Sequence, residues 1–108
     1  MWKVVYLKDA LEDLKKLDKS RRLQVVKKIN QVALNPLPIN EGGYGEPLGN
    51  FSAARLSGFC KIKLRKSGIR VVYRLEVNNN EMIIIVVSAR ADNEVYLTAK
   101  KRKGPDGL

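Results

Sequence analysis

The sequence contains no histidine and only one cysteine, Cys60. Histidine is the commonest general base and metal ligand at neutral pH, so any catalysis has to rely on lysine, arginine, tyrosine or carboxylate side chains. A single cysteine excludes a disulfide within the chain, and without histidine it does not make a zinc site. We therefore expect neither a metal ion nor an organic cofactor.

Long hydrophobic runs are also missing, because no stretch approaches the roughly 20 apolar residues of a membrane-spanning helix. The N-terminal sequence MWKVVYLKDALEDL does not have the layout of a signal peptide, since carboxylates stand inside its first predicted helix. Together with the scarcity of cysteine, these features predict a cytoplasmic protein without a membrane partner.

Carboxylates are scarce relative to cations: the chain has 21 lysines and arginines but 11 aspartates and glutamates, a formal net charge of +10. The imbalance is sharpest in residues 55–74, which hold seven cations and no carboxylate: Arg55, Lys61, Lys63, Arg65, Lys66, Arg70 and Arg74. A solvated sheet face normally mixes charge signs, because like charges on neighbouring strands repel. We therefore favour nucleic-acid binding over the alternative of a merely solubilising basic surface.

This basic stretch coincides with a predicted β-hairpin at residues 58–75, GFCKIKLRKSGIRVVYRL. Strand side chains alternate between the two faces of a sheet, and a Ser-Gly pair supplies the turn. One face is predicted to be apolar, with Cys60, Ile62 and Leu64 on the first strand and Ile69, Val71, Tyr73 and Leu75 on the second. The other face is predicted to carry the cations Lys61, Lys63, Arg65, Arg70 and Arg74.

The remaining periodicities predict one α+β domain over residues 1–108. A short apolar strand at residues 2–7 precedes helices at residues 8–17 and 21–34, whose short link favours an antiparallel hairpin. Residues 82–87 are apolar at every position, which predicts an internal strand beside the N-terminal one. The predicted architecture is a helix hairpin packed on a mainly antiparallel four-stranded sheet, in the order β-α-α-β-β-β-α.

Three local predictions complete this architecture. The apolar stripe of the second helix is predicted at Leu23, Val26, Ile29 and Ala33, with Val25 and Val32 widening it. Residues 36–58 are rich in proline and glycine and are predicted to be loop. The C-terminal segment, residues 92–108, is predicted to begin as a helix without a convincing apolar stripe and therefore to be mobile.

At the hairpin the sequence resembles the RelE family of ribosome-dependent, messenger-RNA-cleaving toxins from bacterial and archaeal toxin–antitoxin modules. The resemblance is closest in CKIKLR at residues 60–65, SG at 67–68, RVVY at 70–73, and Ser88 with EVY at 94–96. It covers nearly the whole chain in element order. It implies a RelE-like fold with the helices on one sheet face and a basic concave surface on the other, which holds messenger RNA in the ribosomal decoding site.

The resemblance also implies a catalytic set. RelE-type toxins use two lysines that flank an apolar strand residue, an arginine on the next strand, an arginine after the last strand, and a tyrosine six residues later. The matching positions here are Lys61, Lys63, Arg70, Arg90 and Tyr96. Four further cations are predicted to contact RNA, namely Arg55, Arg65, Lys66 and Arg74.

The implied chemistry needs no metal, because the 2′-hydroxyl of RNA can attack the adjacent phosphate. The reaction requires a proton acceptor, stabilisation of charge in the transition state and a proton for the leaving 5′-oxygen. We expect Tyr96 or one of Lys61 and Lys63 to be the base, with Arg70 and the remaining lysine holding the phosphate. Arg90 is expected to stabilise the leaving oxygen, although the stretch from Ser88 to Tyr96 is shorter than in the best-known family member.

The implied function is that of a type II toxin that acts as a metal-independent endoribonuclease, or mRNA interferase. Its partners are expected to be a cognate antitoxin, the ribosome and messenger RNA, with operator DNA bound only through the toxin–antitoxin complex. Two alternatives stay open: a gyrase-inhibiting toxin of the same fold, and a non-catalytic basic RNA-binding module. Gyrase-inhibiting relatives generally lack the cation and tyrosine set, and the hairpin lacks the paired stacking aromatics of RNA-binding sheets, so the nuclease is favoured.

Overall fold

The computed structural model describes residues 2–49 and 56–102, which form five strands and three α-helices. The strands are β1 (Lys3–Tyr6), β2 (Glu46–Gly49), β3 (Leu56–Leu64), β4 (Ile69–Glu76) and β5 (Glu81–Ser88). The helices are α1 (Lys8–Lys15), α2 (Lys19–Val32) and α3 (Asp92–Arg102). Short 3-10 turns occur at Ile39–Glu41 and Val77–Asn79. None of the described helices is both long and apolar enough to cross a membrane.

The strands form one mixed sheet in the order β1-β5-β4-β3-β2. The pairing of β1 with β5 is parallel, whereas β3 pairs antiparallel with both β2 and β4, and β4 pairs antiparallel with β5. Residues Met82 to Val87 of β5 are all buried, which confirms that this continuously apolar strand is internal and lies beside β1.

The α+β architecture is confirmed, but the sheet has five strands instead of four. The additional strand, β2, lies within the segment predicted to be loop and places Glu46 opposite Lys61 and Pro47 opposite Cys60. Its proline and glycine conceal the pattern of a strand, and both residues are tolerated here because β2 is at the sheet edge, where one side of the backbone has no partner strand.

The hairpin of α1 and α2 covers one face of the sheet. The carboxylate of Asp18 accepts a hydrogen bond from the Arg21 backbone N–H at 2.8 Å, which caps the N-terminus of α2. The buried helix residues Ala10, Leu14, Val25, Ile29, Val32 and Ala33 pack against Cys60, Ile62, Ile69, Val71, Tyr73, Met82 and Ile84. The predicted apolar stripe was wrong at Leu23, which is 60% exposed, whereas Val25 and Val32, predicted to widen the stripe, are buried together with Ile29 and Ala33.

Helix α3 packs on the opposite face, whereas the resemblance implied helices on one face alone. Its side chains Val95, Tyr96 and Ala99 are buried against Val72, Ile83, Ile85 and Val86 of the sheet. The interpretation that this helix lacks an apolar stripe was wrong, since these three positions make a narrow one. Mobility of residues 92–108 stays a prediction, and residues 103–108 lie outside the described residues.

Buried polar groups anchor the long connection between α2 and β2 to the sheet. The Tyr73 hydroxyl donates a hydrogen bond of 2.7 Å to the Pro36 carbonyl, and Cys60 lies beside it. A Cβ atom at Gly45 would collide with the Tyr73 hydroxyl, so the loop approaches the sheet as closely as it does because position 45 has no side chain. Burial raises the pKa of both the Cys60 thiol and the Tyr73 phenol.

These pKa shifts predict a loss of stability at alkaline pH. The ordinary pKa values are 9.0 for the thiol and 10.0 for the phenol, so above these values the unfolded chain releases protons that the folded chain keeps. The free energy of unfolding should therefore fall as pH rises past them. Tyr73→Phe should make this decline shallower and cost about 1 kcal/mol at neutral pH through the lost hydrogen bond.

Urea unfolding measured across the alkaline range tests this expectation. The matched control is Tyr44→Phe, because Tyr44 is 60% exposed and should keep the slope of the original chain. Equal slopes for the Tyr73→Phe and Tyr44→Phe variants would contradict the assignment.

Candidate nucleic-acid interface

The α3 side of β3 and β4 brings together three of the predicted catalytic cations. Lys63 lies directly opposite Arg70 in the antiparallel register, and Lys61 lies opposite Val72, whose side chain belongs to the cluster under α3. Cys60 and Ile62, which alternate with the two lysines along β3, are buried on the other face of the sheet. The predicted alternation of the hairpin is therefore confirmed for these positions.

Helix α3 places Tyr96 next to Lys61. The Lys61 ammonium nitrogen is 5.8 Å from the centre of the Tyr96 ring, within the range of a cation–π contact. The same nitrogen is 3.8 Å from a carboxylate oxygen of Glu46, which comes from β2. Tyr96 itself is only 1% exposed, whereas 25% of the Lys61 side chain is exposed. The lysine is thus the member of this pair that faces solvent.

Arg70 connects the hairpin turn to the segment that follows β5. Its Nη1 donates hydrogen bonds to the carbonyl oxygens of Gly68, at 3.0 Å, and Arg90, at 2.9 Å. The Ser88 hydroxyl also accepts a hydrogen bond from the Arg90 backbone N–H at 3.1 Å. The backbone of Arg90 is therefore held at the end of β5 next to Arg70.

The Arg90 side chain forms an ion pair of its own with α3. It is 75% exposed, and its guanidinium lies 3.7 Å from the carboxylate of Glu94 on the first turn of α3. The structure thus brings Lys61, Lys63, Arg70 and Tyr96 to one region and holds the Arg90 backbone there, while the Arg90 guanidinium is turned to solvent.

The residues predicted to contact RNA differ in their surroundings. Arg65 and Lys66 are exposed near the hairpin turn, whereas only 12% of the Arg74 side chain is exposed and its guanidinium lies 3.8 Å from the Glu76 carboxylate. Arg55 lies outside the described residues. The interpretation of an unpaired row of cations was therefore wrong at Arg74 and, because of Glu46, at Lys61.

A further group of cations remains without a carboxylate partner. Among residues 2–49 and 56–102, no ion pair involves Lys63, Arg65 or Lys66, and all three side chains are exposed. They follow one another along the end of β3 and the turn. This end of the hairpin is thus the part of the basic surface most available to a polyanion.

Sequence reasoning missed a groove of about 690 Å³ between α2, the connection to β2, and the edge of β3. Lys28, Lys61, Lys63 and Arg65 contribute its cations, and the exposed side chains Leu34, Ile39 and Tyr44 contribute apolar surface. The groove depends on the folded course of residues 34–46, and no local pattern in the sequence predicts it. Through this groove the basic surface continues from β3 to Lys28 of α2.

The arrangement offers charge stabilisation and proton transfer to a phosphodiester. Clustered lysine and arginine side chains stabilise the additional negative charge of a pentacoordinate phosphate. Lys61 and Tyr96 both carry groups able to accept a proton in their deprotonated forms. Within the described parts of the chain, no cluster of three or more histidine, cysteine, aspartate or glutamate residues is placed to hold a metal ion.

Comparison with known proteins identifies the family. A model of the family described as the ParE toxin of the type II toxin–antitoxin system parDE matches residues 4–94. An Escherichia coli protein described as a RelE-like toxin is 32% identical over 104 residues, covering 94% of this chain and 96% of its own. The mRNA interferase toxin RelE of E. coli K12 is 34% identical over 96 residues, covering 86% of this chain and 87% of its own.

Solved structures agree with these relatives. Isolated E. coli RelE toxin superposes with a TM-score of 0.68 at 28% identity, covering 96% of this chain and all of that one. The toxin in the intact E. coli RelBE toxin–antitoxin complex gives a TM-score of 0.64 at 26% identity, covering 84% of this chain and 99% of that one. The chain therefore belongs to the RelE/ParE superfamily of type II toxin–antitoxin toxins and is a RelE-type member of it.

Proposed function

We propose that this toxin is an mRNA interferase that cleaves translated messenger RNA on the ribosome without a metal ion. The observation that carries the proposal is the contact between Lys61 and the Tyr96 ring, on the same sheet face as Lys63 and Arg70. Two relatives that are 34% identical bear the name mRNA interferase, which supports the same reaction class. The exposed cations at the end of the hairpin supply the attraction for RNA.

In the proposed reaction the 2′-oxygen attacks the adjacent phosphorus and the bond to the 5′-oxygen breaks. A base accepts the 2′-hydroxyl proton, the 5′-oxygen gains a proton, and the products are a 2′,3′-cyclic phosphate and a 5′-hydroxyl. Lys63 and Arg70 hold the phosphate, and the Arg90 side chain swings from Glu94 towards the leaving oxygen. Electrostatic stabilisation of this kind is the largest contribution in many phosphate and acyl transfers.

Burial distinguishes the two candidates for the base. Tyr96 is 1% exposed and lies under the Lys61 ammonium, so in this conformation its hydroxyl does not meet solvent-borne RNA. We assign proton transfer to Lys61 and assign Tyr96 a positioning role, in which its ring supports the lysine side chain. The sequence left the base open among Tyr96, Lys61 and Lys63, and we propose Lys61 over Tyr96 because of the burial of the tyrosine.

Paired substitutions of the strand lysines test the site. Lys61→Ala with Lys63→Ala should lower the rate of ribosome-dependent cleavage by about 10² or more, because both proton transfer and charge stabilisation are lost. Circular dichroism and thermal unfolding should stay close to those of the original chain, since Lys63 is exposed and Lys61 is partly exposed.

The control is Lys19→Ala with Lys27→Ala, which removes two exposed lysines from α2 on the other side of the sheet and should leave cleavage unchanged. The assay uses purified ribosomes whose structure is maintained by a trivalent cobalt complex in place of magnesium ions. EDTA is then added to remove the remaining divalent metal ions. A folded double variant that still cleaves at the original rate refutes the site, and loss of cleavage on chelation alone refutes metal independence.

Substitutions of Tyr96 separate a ring that supports Lys61 from a hydroxyl that transfers a proton. Tyr96→Phe keeps the ring under the lysine and should retain activity within about tenfold, whereas Tyr96→Leu removes the cation–π contact and should lose considerably more. Single-turnover cleavage of a ribosome-bound message measures both. Equal, large losses in Tyr96→Phe and Tyr96→Leu would show that the hydroxyl is the base.

A gyrase-inhibiting toxin of the same fold is the second candidate, since the description of the matching family model names a ParE toxin and no ribonuclease activity. The cluster of Lys61, Lys63, Arg70 and Tyr96 favours the nuclease over this candidate and over a non-catalytic RNA-binding module. A supercoiling assay with purified gyrase distinguishes the two toxins, and RNA binding without cleavage on the ribosome would identify the module.

The proposed setting is the cytoplasm, where the ribosome and messenger RNA are the targets and a cognate antitoxin is the inhibitor. Solved complexes of RelE toxins with their antitoxins, including the RelBE complex of E. coli and RelBE2 of Mycobacterium tuberculosis, support the antitoxin. Operator DNA is proposed to be bound only through the toxin–antitoxin complex.

A further inference from the structure

The C-terminal half of β5 extends beyond its neighbour β1. Strand β1 pairs with β5 only from Glu81 to Ile84, and its last backbone contact is the hydrogen bond from Leu7 N–H to the Ile84 carbonyl. Ile85 also has no partner of its own in β4, because Val72 lies opposite Val86 and Tyr73 opposite Ile84. Beyond Ile84, the β1 side of β5 therefore needs other partners for its backbone groups.

Two charged side chains distant in sequence supply those partners. A carboxylate oxygen of Asp13 accepts a hydrogen bond of 3.0 Å from the Val87 backbone N–H. Arg102 donates a hydrogen bond of 3.0 Å to the Ile85 carbonyl. Asp13 and Arg102 thus provide hydrogen-bond partners for the β5 backbone beyond the end of β1.

The same two side chains bind each other through both carboxylate oxygens. Arg102 Nη1 is 2.7 Å from Asp13 Oδ2, and Nη2 is 3.3 Å from Oδ1. Asp9, one turn earlier on α1, lies 3.7 Å from Arg102 Nε. Only 12% of the Asp13 side chain and 20% of the Arg102 side chain are exposed, so solvent screens this contact weakly.

This ion pair attaches the end of α3 to α1 and β5. Otherwise α3 is held to the sheet by the narrow stripe of Val95, Tyr96 and Ala99. Tyr96 and Arg102 lie on the same short helix, so the direction in which its last turn is fixed also determines where the Tyr96 ring lies. A bidentate arginine–carboxylate contact fixes the orientation of the two side chains as well as their distance, because the planar guanidinium donors match the two carboxylate oxygens.

We propose that the Asp13–Arg102 ion pair is a positioning element of the cleavage site, which keeps the Tyr96 ring against Lys61 by fixing the C-terminal end of α3. The inference rests on the proposed nuclease function and adds two residues that do not touch the RNA. Loss of the pair lets α3 shift on the sheet, so Lys61 loses its support while Lys63, Arg65 and Lys66 still bind RNA.

The expected consequence is a fall in turnover without a matching loss of substrate binding. Arg102→Ala and Asp13→Asn should each lower kcat on ribosome-bound message by about ten- to a hundredfold, as expected for a displaced catalytic group, with KM changed less than threefold. Arg102→Lys keeps the charge but cannot reproduce all the contacts, and it should recover part of the lost turnover.

Hydrogen exchange supplies a readout that does not depend on activity. In the Arg102→Ala and Asp13→Asn chains, the backbone amides of residues 94–102 should exchange at least tenfold faster, whereas the β3 and β4 amides should keep their protection. Lys101→Ala is the matched control, because it removes a neighbouring exposed cation from the same helical turn and should change neither exchange nor kcat.

Three results would overturn the inference. Unchanged kcat and unchanged α3 protection in Arg102→Ala would show that the pair does not position the helix. Faster exchange throughout the sheet in Arg102→Ala, with a higher KM and a lower kcat in Arg102→Lys as well, would show that the ion pair stabilises the whole fold and does not specifically position α3. Faster α3 exchange with unchanged kcat would separate the helix position from catalysis. If the original chain does not cleave ribosome-bound message, the proposed nuclease function is wrong. The exchange rates of residues 94–102 then still show whether the ion pair fixes α3.

Discussion

The antiparallel register of β3 against β4 is the constraint on which the rest of the structure depends. It places Ile62 opposite Val71 on one face, and Lys61 opposite Val72 and Lys63 opposite Arg70 on the other. The pair of Ile62 and Val71 is buried under the helix hairpin, whereas Lys61, Lys63 and Arg70 lie on the side of α3. A slip by one residue would bury lysines beneath the helix hairpin, so the energy of burial that holds the core together also sets the orientation of the basic face.

The sequence predicts this part of the structure because its information is local. Alternation over β3 and β4 identifies both faces, and the continuous apolar run of β5 identifies an internal strand. Strand β2 escapes prediction because Glu46–Gly49 has no alternation, and only pairing with β3 gives it a strand conformation. The exposure of Leu23 was equally unpredictable, because the apolar stripe predicted on α2 is wide and the geometry of the helix hairpin determines which part of it is buried.

The charges show the same division between local and distant information. Residues 55–74 contain no carboxylate, yet the fold brings Glu46 to Lys61 from a neighbouring strand, and Glu76 lies beside Arg74 just beyond that range. Arg102 looks like one more cation in a basic C-terminal run, and its contact with Asp13 spans 89 positions. Sequence composition therefore predicts the sign of the surface, while tertiary structure determines which cations remain available and which support other elements.

We propose that the face shared by Lys61, Lys63, Arg70 and Tyr96 cuts messenger RNA during translation. Mapping of messenger-RNA ends after induced expression of the chain in a bacterium tests this proposal. We expect new 5′-hydroxyl ends within translated regions, which recur at a fixed position relative to the reading frame and disappear when translation of that message is blocked. Growth arrest with intact messages, or cuts that ignore the reading frame, would contradict it.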